Sequence, residues 1–153
     1  MNNTKKDYGF LLIKIDQRYQ QLLNAISDIA NNKPYDQTCI FNSNHTDLPV
    51  DNLPILHLNE MKYFFGNLFV FDIAGLVLSQ ECPNIHNRYY YAVDTPWIDN
   101  PKAFYREWKN LFEQDNLEII AQNKHVADIY EICWKKPVLV TEEFSYDTIS
   151  KII

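Results

Sequence analysis

Glycine is almost missing from this chain: Gly9, Gly66 and Gly75 are the only three in 153 residues. Without a glycine-rich turn there is no loop whose backbone N–H groups could cradle a phosphate, so the dinucleotide fingerprint and the Walker pattern are both excluded. A nucleophilic serine flanked by glycines is absent too. Cysteine is equally scarce. Cys39, Cys82 and Cys133 are odd in number and far apart, which fits reduced thiols better than a disulfide framework and leads to the expectation of a cytoplasmic protein. No apolar run approaches membrane-spanning length, and residues 1–7 are polar without a signal-peptide core, so no membrane association is expected.

Positive charge is also in short supply. Lys and Arg total 14 against 20 Asp and Glu, for a formal net charge of -6 and a pI near 5.1. The basic residues form no cluster, so binding to a nucleic-acid backbone is not expected. For metal, Cys82 and His86 are the nearest approach to a ligand pair. Two candidates in a loop interrupted by Pro83 do not make a four-ligand site, and neither a metal nor a cofactor is expected. His57 falls inside an apolar strand and reads as a core histidine.

What is present is pattern. Tyr8, Leu12, Ile15, Tyr19, Leu22, Ile26 and Ile29 follow spacings of four and three, which predicts a long amphipathic helix ending at Asn31-Asn32 before Pro34. Its apolar face is broad, so it is expected to be buried, either against its own chain or in a homodimer. After it, apolar runs alternate with amphipathic ones, predicting strands near 38–42, 54–58, 67–72, 88–94, 117–123 and 137–142. The expected architecture is a single Rossmann-like α/β domain. Residues 1–33 form the N-terminal helix, and residues 34–153 form a body with an open, mostly parallel sheet and flanking helices.

Ligands of such sheets bind in the crevice outside the carboxyl ends of the strands. Those ends carry Asp72, Asp94 with Trp97, Asn123 and Glu142, with Glu60 just beyond another. Asp72 and Asn123 each precede a helix, where an Asx side chain caps free N–H groups, so capping competes with ligand contact. Asp94 before Thr95-Pro96 is either a turn former or a ligand contact. Trp97 either offers an apolar face to a sugar ring or belongs to the core.

The stretch "LEIIAQNKHVADIYEICWKKPVLVTEEFSYDTI" resembles the closing unit of the first Rossmann-like domain of two-domain (GT-B type) glycosyltransferases. "LHLNEMKYFFGNLFVFDIAGLVLS" and "RYYYAVDTPWI" are similar to upstream segments of small, phage-type glycosyltransferases. The resemblance spans about residues 54–153. It implies that Asp94, Trp97, Asn123 and Glu142 line the crevice, that the ligand is a glycan, a nucleotide sugar or a glycosylated base, and that the donor site is either missing or supplied by another subunit. In that reading Asp94 is the catalytic base, and Trp97, Asn123, Glu142, Asp72 and Glu60 contact substrate. The alternative is a non-catalytic, phage-type accessory or inhibitor that binds a protein partner through its acidic face and first helix.

Overall fold

Short runs rich in β-branched and aromatic residues become strands here, and the polar-punctuated amphipathic runs between them become helices. A computed structural model describes residues 7–13, 19–32, 37–43, 53–99 and 105–153. The strands are β1 (Tyr8–Leu12), β2 (Thr38–Asn42), β3 (Ile55–His57), β4 (Gly66–Val70), β5 (Ile85–Ala92), β6 (Leu117–Ala121) and β7 (Leu139–Val140). All pair in parallel, in the order β3-β2-β1-β4-β5-β6-β7. The helices are α1 (Tyr19–Asn32), α2 (Ile73–Ser79), α3 (Pro96–Asp99), α4 (Tyr105–Phe112), α5 (Lys124–Cys133) and α6 (Tyr146–Ile149), with a 3-10 segment at Leu58–Tyr63. This is a Rossmann-like α/β sheet with helices on both faces.

Each of the six expected strands is present. The long first helix is not, and this is the main correction: residues 8–12 are β1, which lies between β2 and β4 near the middle of the sheet. The physical reason is burial on both faces. A strand covered on both sides shows no polar alternation, and by chance its apolar positions stand in helical phase with those of α1. Gly9 is a second mark of the strand. A Cβ there would meet the Phe41, Leu68 and Phe64 side chains at 2.9–3.1 Å, so any larger residue would have to displace these packed side chains at the crowded sheet centre. Of the stripe on α1, Ile26 and Ile29 are buried by the chain's own sheet and Leu22 is half-buried against it; with Leu23 and Ala25 they pack with Tyr8, Phe10, Leu12 and Ile40. Ile15 and the Tyr19 side chain lie outside the described residues.

The opposite face of the sheet carries α2, α4 and α5. There Leu11, Phe41, Val70, Tyr90 and Ala92 meet Leu76, Phe112, Val126 and Tyr130. After β7 the chain returns to the first face, where α6 places Ile149 against the α1 side. The sheet is therefore closed on both faces while its carboxyl edge carries the polar loops.

Four groups give this interior a pH signature. Burial pushes the Cys39 thiol from 9.0 up to about 12, with the Asp7 charge adding to it. Burial likewise raises the Tyr91 hydroxyl from 10.0 to about 12, helped by the Glu142 carboxylate, and drives Tyr90 and Tyr130 upward. The folded state thus holds these protons more tightly than the unfolded chain. Their contribution to stability is complete below the ordinary values and is lost as pH rises through the folded ones. Melting temperature is expected to fall steadily between pH 9 and pH 12. A melting temperature that stays level across that interval would contradict the burial of these groups.

Candidate crevice at the carboxyl edge

In the strand order β3-β2-β1-β4, the chain leaves β1 toward one edge and β4 toward the other, so the carboxyl ends of β1 and β4 flank the switch point where open α/β sheets bind ligands. A cavity of about 600 Å³ lies beside it. Helix α1 forms one wall with Gln21, Leu22, Asn24, Ala25 and Asp28; strand ends supply Phe71 and Asp72, Tyr91 and Val93, and Gln122; the turn after β7 supplies Glu142 through Ser145. The volume is in the range of small-molecule sites.

The turn after β7 is held in place from below. Tyr91 donates its hydroxyl proton toward the carbonyls of Thr141 (3.2 Å) and Glu142 (3.1 Å). Phe144 plunges from the same turn onto the sheet, edge-on to Phe71 (5.0 Å), Phe69 and Tyr91 (both 5.6 Å) and Phe10 (6.4 Å). Ser145 and Thr148 then form a reciprocal capping box that starts α6. The ring stack fixes where the carboxylates of Glu142 and Glu143, both exposed, enter the cavity wall.

Asp72 acts as a cap. Its Oδ1 accepts from the Gly75 N–H at 2.7 Å and starts α2. Its Oδ2 is shielded from solvent and has no hydrogen-bond partner, so the carboxylate does not open into the cavity although the residue is part of its lining.

The sequence-derived candidates separate. Asp72 and Glu142 line the cavity. Asn123 caps α5, its Oδ1 accepting from the Val126 N–H at 2.9 Å, and the lining passes instead through its neighbour Gln122. Glu60 is exposed in the 3-10 segment after β3 and is not part of the lining. Asp94 is exposed and also outside it; with Asp72 it adds a negative charge beside Tyr90, on the other face.

Trp97 does not sit over the crevice mouth. Its first turn of helix, α3, follows Pro96 and folds the indole onto the α4–α5 face, where it is edge-on to Tyr130 (4.7 Å), Phe112 (5.4 Å), Trp134 (5.5 Å) and Trp108 (6.4 Å). Trp97→Ala is therefore expected to destabilise by about 3 kcal/mol, the lower end for a buried aromatic because the ring is only partly buried. A denaturant melt with an unchanged midpoint would show that the cluster is not structural.

The α1 residues and the aromatic floor were not visible as site residues while residues 8–32 read as one helix. Recognising β1 would have put the first turns of α1 over the crevice by topology alone. Among the described residues no group of three or more His, Cys, Asp or Glu side chains is arranged to hold a metal ion, and no helix is long and apolar enough to cross a membrane.

The fold and the cavity define a class: a doubly wound, all-parallel α/β sheet with a small-molecule-sized site at its carboxyl edge. No protein-family model, no curated protein and no solved structure matches the chain.

Proposed function

We propose that the chain is a glycosyltransferase-like domain that binds a glycosyl group in the cavity between α1 and the turn after β7. One observation carries this reading. The cavity joins an apolar wall of Phe71, Phe144 and Val93 to acceptor-rich positions at Asp28, Glu142 and Glu143, and a sugar ring presents an apolar face and a polar edge. Glu142 and Glu143 are the carboxylates best placed to touch it, because both are exposed in the lining, whereas Asp72 caps α2 with one oxygen and buries the other. Asp94, the base expected from the sequence if the chain is catalytic, stands outside the cavity, so binding is favoured over transfer by this chain alone. Transfer would need a donor-binding half from another chain.

No lysine, arginine or histidine is among the described residues that line the cavity, which favours the glycan over the nucleotide sugar. The rival reading, an accessory protein engaging a protein partner, loses its apolar helix: α1 spends that face on its own sheet, leaving only the acidic surface for such a contact.

A thermal-shift panel of saccharides, nucleotide sugars and nucleotides tests the proposal. A saccharide at a hundredfold excess over its Kd is expected to stabilise by about 2.7 kcal/mol, and the exposed cavity pair Glu142→Ala/Glu143→Ala is expected to remove most of that shift while melting near the wild type. Silence across all saccharides would overturn the proposal.

A further inference from the structure

We infer that β7 is the contact edge of a homodimer, in which two copies of this chain join antiparallel with the two-fold axis at Leu139 and the sheet runs on through the interface. The strand order leaves β7 bonded on one side, to β6, and with no neighbour on the other among the described residues. An open edge of this kind is a template for another strand. The Thr141 N–H is bonded inward to the Ala121 carbonyl at 2.9 Å. Alternation along an extended strand therefore turns the Val140 N–H outward, where a second chain can accept it.

The side chains decide what fits this edge. In "KKPVLVTEE", residues 135–143, the even positions share one face of an extended chain: Lys136, Val138, Val140 and Glu142, all exposed, the two valines at 43% and 49%. About Leu139 that row is its own complement. A second copy laid antiparallel sets Val138 against the partner's Val140 and Lys136 against the partner's Glu142, and the two-fold axis makes each contact twice. Neither Lys136 nor Glu142 is in an ion pair among the described residues. Lys135 is engaged elsewhere, its Nζ donating to the carbonyls of Gln114 and Leu117 at 2.8 and 2.7 Å. A short strand, a lysine and a proline are devices that guard an edge, and against a parallel copy they would do so, because like charges would then stand opposite each other. The antiparallel copy is the one arrangement that pairs them. It also borders the cavity: Glu142 belongs to both, so the partner's Lys136 brings a cation to a wall whose described residues include none.

The test is sedimentation equilibrium of the intact chain across a concentration series. So short an edge buries less than the roughly 1,200 Å² of a standard interface, and a weak dimer is expected, with a Kd of roughly 10–100 µM. Val140→Pro removes the outward N–H and leaves the inward bonds, so it is expected to stay monomeric while melting near the wild type. Lys136→Glu, an exposed change that does not depend on how a proline is tolerated, is expected to weaken the dimer about tenfold. The exchange Lys136→Glu/Glu142→Lys restores opposite charges across the axis and is expected to recover most of that loss. A wild-type chain that is monomeric up to about 1 mM would overturn the dimer. A dimer unchanged in both Val140→Pro and Lys136→Glu would place the contact on another surface and overturn the assignment to β7. An exchange variant as weak as Lys136→Glu alone would overturn the antiparallel register.

Discussion

Replacing Phe144 by alanine is expected to cost about 4 kcal/mol, the middle of the range for an aromatic core residue, and to abolish ligand binding with it. The ring is 8% exposed and contacts four other rings, Phe10 in β1, Phe69 in β4, Phe71 just after it and Tyr91 in β5. It is also the anchor of a turn that carries three other residues of the cavity, Glu142, Glu143 and Ser145. Removing it empties the sheet face beneath the turn and frees the carboxylates above it. Phe144→Leu should restore most of the stability, because volume is largely conserved. A denaturant midpoint for Phe144→Ala within error of the wild type would mean that the turn is held by other contacts.

The second large effect is expected at Arg88. Its guanidinium is 4% exposed and donates to the Ser79 carbonyl (2.7 and 3.2 Å), the Ser79 hydroxyl (3.2 Å) and the Cys82 carbonyl (3.1 Å). These are acceptors at the carboxyl end of α2, the groups a helix leaves without internal partners. A single side chain from the strand that follows thus ties α2 to β5. Arg88→Met keeps much of the volume, leaves the Cys82 carbonyl without its donor and the Ser79 carbonyl with only the Cys82 N–H at 3.1 Å, and is expected to cost about 3 kcal/mol. Arg88→Lys retains charge and loses the planar fork, so it should recover only part of the loss. Equal midpoints for the Met and Lys variants would show that the hydrogen bonds are not what stabilises the junction.

How far the fold was legible follows from these same places. Strands β2 to β7 stood out because turn residues bracket them: Pro54 before β3, Asp72 and Asn123 after β4 and β6, Pro137 before β7. Strand β1 did not, because its five residues are all buried and no polar position marks its faces. Losing β1 also hid the switch point, and with it the role of α1 in the cavity. At the site, Asp72 and Glu142 were legible as strand-end acids. Trp97 was ambiguous in sequence, since an indole after a proline turn fits a ligand platform and an aromatic cluster equally. Its direction depends on α3, a four-residue helix, and on where Phe112 and Tyr130 stand in space. Arg88 gave no signal, for its partners are two backbone carbonyls and the Ser79 hydroxyl, which only the folded chain brings together.

The central claim is that a glycosyl ligand occupies the cavity between α1 and the turn after β7. Backbone amide shifts in a 15N-labelled sample titrated with the saccharide that gives the largest thermal shift test it directly. The account predicts that perturbations concentrate at Gln21, Asn24, Asp72, Gln122 and Glu142–Ser145, with the Trp97 and Trp108 signals unmoved. Perturbations centred on Asp94 and Trp97, with the α1 and Glu142–Ser145 amides silent, would contradict it.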